Sequence, residues 1–253
     1  MKNIDSNSGS ARLVPAVLVD FDDTAAVQNV ANLLLERFGD PSWQSVRERF
    51  RNGELTLNEY QEITFRNILA DRAMMQDYVK DHANLRPYFH DLWRYCEANQ
   101  LPMAIVSQGL DFYIQALLET EGLPQIPVYS VNTKFTPQGI TYQYYHTFPG
   151  HEREGNSKGL VVDVYKKRGH YIIYAGDGIS DLEAAPKADL LFAHRTLAEE
   201  CRRKEIPFRP FKDFQAVLLA LREIHLNGHR PASVEETYGK VGDEAGGGEE
   251  ASR

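Results

Sequence analysis

The sequence predicts an α/β fold, a doubly wound Rossmann-like parallel sheet with a small helical cap inserted after the first strand. Short runs rich in Val, Leu and Ile alternate with segments of helical apolar spacing, as in sheets built from βαβ units. The exception is residues 26–85, where one helical pattern follows another and no strand intervenes. This length exceeds what one βα crossover needs, so it predicts a helical insertion over the strand ends.

The two ends of the chain differ in composition from the remainder. Residues 1–12 are polar, and residues 227–253 are acidic and rich in Gly, Glu, Pro and Ser, so both segments are predicted to be disordered. Residues 13–25 and 86–226 then form the Rossmann-like core, and residues 26–85 form the helical cap.

The first strand carries the most informative stretch of the chain, Ala16 to Thr24. Its apolar run is typical of a strand buried on both faces at the centre of a parallel sheet, and it runs into Asp20 and Asp22. Residues one apart on an extended chain point to the same side, so these carboxylates can share a site. They repel each other unless a cation or a proton separates them. The alternative is a strand end followed by a turn with solvated aspartates.

The cap helices are predicted from apolar spacing and from end signals. Gly39-Asp40-Pro41 ends the first helix, and the capping box Thr56-Leu57-Asn58-Glu59 starts the third, which runs to Ile68. The other predicted helices of the cap cover residues 27–38, 42–50 and 74–82.

The core is predicted from the same two periodicities. A helix starts at Pro87, and a polar loop over residues 146–157 precedes the helix that starts at Lys158. The remaining predicted elements are strands 102–106, 127–131, 171–174 and 190–193, a hairpin over 134–145, and helices 111–118, 158–167, 197–204 and 211–225.

Four segments carry polar side chains to positions where they can meet, because ligands of open α/β sheets bind at the carboxyl ends of the strands. Each segment taken alone has a structural explanation: a serine before glycine is a turn or helix cap, a lysine at a helix start is a surface charge, and Gly-Asp-Gly is a tight turn. Their joint occurrence in this order predicts one site. The set comprises Asp20, Asp22, Ser107, Lys158, Asp177 and Asp181.

Composition narrows the classes of function. The net charge of −8 over 253 residues argues against a general nucleic-acid binder, although it allows a phosphorylated substrate because one local cation inverts the field in a site. Cys96 and Cys201 are the only cysteines and lie in separate helical patterns, which favours a reducing cytoplasm over a disulfide scaffold. No apolar run approaches the ~20 residues of a membrane span. The N-terminus lacks the apolar core of a signal peptide.

Four motifs together resemble the haloacid dehalogenase superfamily of phosphotransferases, over about residues 14–225. The helical insertion looks like the small cap of its phosphoserine-phosphatase-like branch. The motifs are Asp-Phe-Asp-Asp-Thr (20–24), Val-Ser-Gln-Gly (106–109), Ser-Lys-Gly (157–159) and Gly-Asp-Gly-Ile-Ser-Asp (176–181).

Two longer stretches narrow the resemblance. Residues 50–68 and 193–214 look most like the methylthiopentenyl-phosphate phosphatases of methionine salvage, which hydrolyse 2-hydroxy-3-keto-5-methylthiopentenyl-1-phosphate. The resemblance therefore implies a Mg²⁺-dependent phosphomonoester hydrolase acting on a small phosphorylated metabolite.

The resemblance also implies a mechanism through an aspartyl-phosphate. Asp20 attacks phosphorus, and Asp22 protonates the departing alkoxide and then takes a proton from water. Mg²⁺ is held by the Asp20 carboxylate, the Asp22 backbone carbonyl, Asp177 and waters. The ion offsets the repulsion between an anionic nucleophile and an anionic phosphate.

Supporting roles follow from the same resemblance. The Ser107 hydroxyl and the Lys158 ammonium hold the phosphoryl oxygens, and the backbone amides near Phe21 and Gln108 add anion-binding donors. Asp181 orients Lys158 or a metal-bound water. Gly178 lies between Asp177 and Asp181 in the fourth motif.

Four further residues are weighed individually. Asn29 lies nine positions after Asp20, where phosphoserine phosphatases carry a glutamate that pairs with the substrate ammonium, so the resemblance implies phosphate esters without an amino group. Arg66 on a cap helix either contacts substrate or lies on the surface. His146 and His151 lack another clear metal ligand nearby, so we expect solvated loop residues.

Several functional alternatives stay open from the sequence. One is a phosphoserine phosphatase or another small-metabolite phosphatase. A second is a phosphotransferase or mutase that passes the phosphoryl group to a sugar hydroxyl. A third is a catalytically silent regulatory or binding module. In each case the expected partner is a small phosphorylated metabolite, with no nucleic acid and no membrane, and the chain is a monomer or a homodimer.

Overall fold

The structure, a computed structural model, describes residues 13–66, 68, 70–149 and 156–228. These residues confirm the predicted α/β class, because they form one sheet in the order 4-3-2-1-5-6-7 that is parallel except at its β3–β4 edge. The strands are β1 (Val14–Val19), β2 (Met103–Leu110), β3 (Val128–Thr136), β4 (Gly139–Gln143), β5 (His170–Gly176), β6 (Leu190–Ala193) and β7 (Arg209–Pro210).

β1 lies at the topological switch point of the sheet. It pairs in parallel with β2 on one side and with β5 on the other, and the chain fills the β2 side before it returns to the β5 side. Residues Ala16 to Val19 are fully buried, as the continuous apolar run predicts. Asp20 follows directly, so it stands where ligands bind in doubly wound sheets.

β2 is longer than the apolar pattern predicts, because it continues past Val106 to Leu110. Its register with β3 shifts between these two residues. The Ser107-Gln108-Gly109 segment is therefore an irregularity in the ladder, of the kind that re-aims side chains next to sites. This irregularity brings the second motif to the same edge of the sheet as Asp20.

Nine α-helices occur in the described part of the chain, and the first four lie between β1 and α5, as the predicted helical insertion requires. The exact boundaries of a separate cap domain stay a prediction. The helices are α1 (Val30–Phe38), α2 (Trp43–Arg51), α3 (Leu57–Arg66), α4 (Arg72–His82), α5 (Phe89–Ala98), α6 (Asp111–Thr120), α7 (Lys158–Lys167), α8 (Arg195–Arg203) and α9 (Phe214–Asn227).

Side-chain caps explain where two of the cap helices begin. α1 starts later than the predicted residue 27, because the Asn29 side chain accepts a hydrogen bond from the Asn32 N–H at 2.9 Å. α3 begins with the predicted capping box: the Glu59 N–H donates to Thr56 Oγ1 at 3.2 Å, and the Thr56 N–H donates to Glu59 Oε2 at 2.9 Å.

Apolar packing covers both faces of the sheet. One buried cluster joins α5, α6 and α9 to the cap helices, and the other lies under α7 and α8. Phe89 and Phe214 meet edge to face at 5.1 Å between ring centroids. α4, in which Met75 and Val79 are fully buried, packs on α6. Each such side chain contributes about 1.5–3 kcal/mol to stability, which fixes the cap helices against the core.

The two segments that connect the cap to the core contact each other. Ala26 and Leu85 form an antiparallel bridge, and the Arg86 N–H donates to the Ala25 carbonyl at 2.8 Å. The entry and exit of the cap are thus joined next to the residues that follow β1.

Some predictions fall on residues outside the described ranges, namely the disorder of residues 1–12 and 229–253 and the environment of His151. The first two residues of the predicted tail are described, and Asn227 is the last residue of α9. None of the described helices combines the length and apolar character that crossing a membrane requires.

Candidate active site

A cleft of about 330 Å³ lies between the carboxyl ends of the central strands and the cap helices. Asp181, fully buried, stands behind its wall. Most of the residues predicted for the site line this cleft: Asp20, Asp22, Asn29, Ser107, Gln108, Lys158, Asp177 and Gly178.

Asp20 is a buried carboxylate whose Oδ1 is fixed from two sides. The Phe21 N–H donates to it at 2.7 Å, and Lys158 Nζ lies 2.7 Å away. Burial, and next the neighbouring Asp181 carboxylate, raise the pKa of Asp20 well above its ordinary value, although the Lys158 ammonium opposes this. Asp20 is therefore held in one orientation with its charge only partly compensated.

Lys158 bridges two carboxylates at the start of α7. Its Nζ lies 2.7 Å from Asp20 Oδ1 and 2.7 Å from Asp181 Oδ1, and its side chain is 1% exposed. Burial lowers the pKa of Lys158, but the Asp181 and Asp20 carboxylates outweigh burial and raise that pKa above its ordinary value. The ammonium is thus a permanent cation inside the site, held between the Asp20 and Asp181 carboxylates.

Asp181 organises the loop after β5. Its Oδ2 accepts hydrogen bonds from the Asp177 and Gly178 N–H groups at 3.0 and 2.9 Å, and its Oδ1 accepts from the Tyr174 hydroxyl at 2.7 Å. A Cβ on Gly176 would lie 2.5 Å from Asp181 Cγ, so only glycine lets the strand end approach this carboxylate.

Asp177 is the most exposed of the three neighbouring carboxylates Asp20, Asp177 and Asp181. The Thr24 hydroxyl donates to its Oδ1 at 3.0 Å, and Arg195 lies 3.9 Å from its Oδ2. Burial, together with the Asp181 and Asp23 carboxylates, raises the pKa of Asp177 to about 6. The carboxylate is therefore short of cations in the protein alone.

Asp22 faces the cap, although it is only two residues from Asp20. The Val30 N–H at the start of α1 donates to its Oδ1 at 2.7 Å, and the Tyr113 hydroxyl donates to its Oδ2 at 2.9 Å. Burial raises the pKa of Asp22 to about 6, against the opposing effect of these donors. A carboxyl with this pKa can give and take a proton near neutral pH.

Ser107, Gln108 and Gly109 of the second motif also line the cleft. Ser107 is buried, and its Oγ accepts a hydrogen bond from the Gly109 N–H at 2.9 Å. Gln108 Nε2 donates to the Asn156 carbonyl at 2.9 Å, so the Gln108 side chain braces the loop before α7. A Cβ on Gly109 would lie 2.1 Å from the Tyr113 hydroxyl, so this glycine leaves room for the Tyr113 side chain.

Three carboxylates of this site stand close enough to hold a metal ion. Ligand atoms of Asp20, Asp177 and Asp181 lie within 4.8 Å of one another. With all three carboxylates ionised and Lys158 as their cation, the cluster would have a formal charge of −2, which one divalent cation balances. Hard oxygen donors in this number suit Mg²⁺.

Solved structures share this architecture. A HAD family hydrolase from Salmonella enterica serovar Typhi matches with a TM-score of 0.62 at 19% identity, over 81% of this chain and 71% of that one. A phosphoserine phosphatase solved as a phospho-aspartyl intermediate analogue matches with a TM-score of 0.60 at 15% identity, over 82% of this chain and 98% of that one. The chain has the haloacid dehalogenase fold.

Sequence relatives of this chain agree with the narrower resemblance. The 2-hydroxy-3-keto-5-methylthiopentenyl-1-phosphate phosphatase of Brevibacillus brevis is 25% identical over 208 residues, which are 81% of this chain and 94% of that protein. The protein of the same name from Bacillus cereus is 28% identical over 214 residues, 82% of this chain and 96% of its own. No family model matches the chain. The predicted resemblance is confirmed by these relatives and structures.

The structure gives the surroundings of Asn29, Arg66 and His146, which the sequence alone does not determine. Asn29 donates from Nδ2 to Asp23 Oδ2 at 3.1 Å at the edge of the cleft. Arg66 lines a separate groove formed with the β3–β4 hairpin. The described arginines on the cap side of the candidate cleft are Arg47 and Arg51 of α2. His146 is half-buried, with its ring 5.1 Å from that of Tyr129.

Sequence reasoning missed two groups of residues that shape the site. Tyr113 of α6 contacts Asp22, and Gln61 of α3 contacts Gln108, although the spacing of both is that of ordinary helix positions. Arg86 and Arg195 brace the turn after β1: Arg86 donates to the Thr24 carbonyl at 2.7 Å, and Arg195 pairs with Asp23. Asp23 has a positive φ of 60°, which is uncommon for a residue other than glycine. The only sequence feature that could have predicted this conformation is the Asp-rich turn after β1.

Proposed function

We propose that this chain is a Mg²⁺-dependent phosphomonoester hydrolase that acts on a small phosphorylated metabolite through an aspartyl-phosphate on Asp20. One observation carries the proposal. A buried, oriented carboxylate at the switch point of the sheet and a carboxyl with a pKa near 6, Asp22, line one cleft together with the Lys158 ammonium. These are a nucleophile, an acid/base and a phosphate-binding cation.

In the first half of the reaction, an Asp20 carboxylate oxygen attacks phosphorus and the bond from phosphorus to the ester oxygen breaks. The electron pair of that bond goes to the departing alkoxide, which takes the proton of neutral Asp22. The Val30 N–H and the Tyr113 hydroxyl hold the Asp22 carboxyl in place for this transfer. Lys158 and Ser107 bind the phosphoryl oxygens as negative charge spreads over them.

In the second half, Asp22 is ionised and takes a proton from a water molecule. The water oxygen bonds to phosphorus, and the bond from phosphorus to Asp20 breaks. Its electron pair returns to Asp20 as a carboxylate, and inorganic phosphate leaves. Asp22 ends protonated, ready for the next ester, which is why a pKa near the working pH suits it.

Asp20 and Asp177 would hold Mg²⁺ with the Asp22 backbone carbonyl and waters, while Asp181 is engaged by Lys158 and two N–H groups. When bound, the ion supplies charge neutralisation between the nucleophile and the phosphate. The raised pKa of Asp20 and that of Asp177 support this assignment, because both carboxylates are short of cations in the protein alone.

We further propose 2-hydroxy-3-keto-5-methylthiopentenyl-1-phosphate, or an ester of similar shape, as the substrate. The relatives that carry this name match about four fifths of the chain. Asn29 supports a substrate without an amino group, because its amide replaces a carboxylate and is engaged by Asp23 and Asn32. A substrate ammonium that is partly desolvated without an anionic partner weakens binding by several kcal/mol, and each 1.4 kcal/mol is about tenfold in affinity.

We also infer a cytoplasmic location, because the free cysteines Cys96 and Cys201 are buried as thiols in separate parts of the core. No nucleic-acid partner is proposed for this acidic chain, and a monomer or a homodimer stays the prediction for its assembly.

The test is phosphate release by the purified full chain from a panel of phosphorylated metabolites, with Mg²⁺ and with EDTA. We expect turnover with Mg²⁺ only, and none in Asp20→Asn. Asp163→Asn, which changes a surface carboxylate paired with Lys187, is the matched control and should keep full activity. No turnover by folded wild type indicates a silent binding module, and release that needs an added acceptor alcohol indicates a phosphotransferase or mutase.

A further inference from the structure

The cap wall of the cleft presents two polar atoms that have no partner. Tyr60 and Gln61 of α3 line the cleft and are only 8% and 4% exposed. The Tyr60 hydroxyl and Gln61 Oε1 form no hydrogen bond with any residue that the structure describes. Buried polar atoms are rarely left unpaired, because the loss of water is then uncompensated. These two atoms therefore point to a ligand or an ordered water in the cleft.

The orientation of the Gln61 amide is fixed by its other end. Gln61 Nε2 donates to the Gln108 carbonyl at 2.9 Å, which identifies the nitrogen and leaves Oε1 as the free atom. Gln108 is in turn anchored to Asn156, so the acceptor is held rigidly beside the phosphate-binding segment. An amide oxygen can only accept, so its partner must be a donor.

The cap side of the cleft is lined by apolar side chains, by amides and by the arginines Arg47 and Arg51. The Tyr60 ring stacks on Phe50 at 5.2 Å between centroids, and Leu57 and Phe65 also line the cleft. The described cap residues that line the cleft include no carboxylate. A donor that enters here is therefore a neutral hydroxyl, because an ammonium would find no counter-charge on this wall.

We propose that Gln61 is a specificity-determining residue, whose Oε1 accepts a hydrogen bond from a hydroxyl on the alcohol portion of the phosphate ester. The Tyr60 hydroxyl takes a second polar group of the same substrate, such as a carbonyl oxygen. The substrate class is a short phosphate ester with a hydroxyl close to the ester carbon and an uncharged tail. This inference rests on the proposed phosphatase function and names its selectivity.

The test compares 2-hydroxypropyl phosphate with propyl phosphate, which differ by one hydroxyl. In wild type we expect kcat/KM to favour the hydroxylated ester by at least tenfold, because the plain ester leaves the buried acceptor unpaired. Gln61→Leu should bring the ratio close to one. Gln61→Glu keeps an acceptor but loses the donor to the Gln108 carbonyl, so it should lower both rates and retain the preference.

The matched control is Gln76→Leu. Gln76 of α4 also donates from Nε2 to a core carbonyl, that of Phe112, at 2.9 Å, but it does not line the cleft. This variant should keep the wild-type ratio, whatever it does to stability. If Gln76→Leu abolishes the ratio as Gln61→Leu does, the preference depends on cap packing and the proposal is wrong.

Binding separates this inference from the proposed function. Calorimetric Kd values of both esters for Asp20→Asn, which cannot turn them over, should differ by about the same factor as kcat/KM. Equal Kd values and equal kcat/KM in wild type would mean that water alone fills the subsite, and they overturn the proposal. A tenfold difference in Kd without any hydrolysis by wild type supports the subsite and refutes the phosphatase.

Discussion

Replacing Asp177 by Asn tests the electrostatics of the metal-free site. Burial and the neighbouring carboxylates raise the pKa of Asp177 from 3.8 to about 6, so the folded protein binds this proton more tightly than the unfolded chain. Between about pH 4 and pH 6 the unfolded chain releases the proton first, so stability falls as pH rises through this window and stays lower above it. A shift of about two units corresponds to about 3 kcal/mol.

The Asn variant removes this cost and loses little in return. Its amide oxygen still accepts from the Thr24 hydroxyl, and the Arg195 pair at 3.9 Å is weak because that side chain is 55% exposed. Allowing about 1 kcal/mol for these losses leaves a gain of about 2 kcal/mol at pH 7. For a chain of this size, this gain raises Tm by roughly 4–8 °C.

The assay is thermal and urea unfolding of the full chain in EDTA at pH 7 and pH 4, beside Asp163→Asn as the control. We expect Asp177→Asn to be more stable at pH 7 and equal to wild type at pH 4. If the proposed Mg²⁺ site exists, excess Mg²⁺ should stabilise wild type by binding the folded state, and it should stabilise the variant less because one ligand is gone. A variant that is no more stable at pH 7, or a gain of the same size at pH 4, refutes the reasoning.

Three further predictions concern the residues around Asp20. Asp22→Asn should lower kcat by about 10²- to 10⁴-fold for an alkyl phosphate and less for p-nitrophenyl phosphate, whose leaving group needs little protonation; equal losses contradict the acid/base role. Asn29→Glu should lower stability by about 1 kcal/mol through loss of the α1 cap, and shift kcat/KM toward phosphoserine relative to a neutral-tailed ester; a tenfold preference for phosphoserine in wild type contradicts this. Arg86→Gln should lower the free energy of unfolding in urea by about 2 kcal/mol, because the Thr24 carbonyl loses a charged donor, and an unchanged urea midpoint contradicts this.

The local parts of the site could be predicted from the sequence. A continuous apolar run places Asp20 at the end of a buried central strand, and the structure has this arrangement. The capping box at Thr56 likewise fixes the start of α3. Such features depend on near neighbours, which a single sequence contains. The pairing of Lys158 with Asp181 joins residues that are 23 positions apart, and only the motif resemblance anticipated it.

The remaining features depend on how helices are oriented, which their own sequences do not determine. Arg66 and Gln61 lie on the same helix, yet Gln61 faces the cleft and Arg66 lines the hairpin groove. In the sequence, Gln61 is indistinguishable from a solvated glutamine on an amphipathic helix. Only the structure shows its hydrogen bond to the Gln108 carbonyl of the core. The extension of β2 to Leu110 escaped prediction because a shift in register leaves no mark in the apolar pattern.

The hydrogen bond between Asp22 and the Val30 N–H joins the two layers of the molecule, because the carboxyl belongs to the core and the donor belongs to a cap helix. Any rotation of the cap that lifts α1 away from the sheet breaks this bond. Asp22 would then keep the Tyr113 hydroxyl, which donates to its Oδ2 from α6, but it would lose its donor on the cap side. In the proposed reaction, cap opening would thus loosen the acid/base carboxyl in the same movement that admits a substrate or releases phosphate.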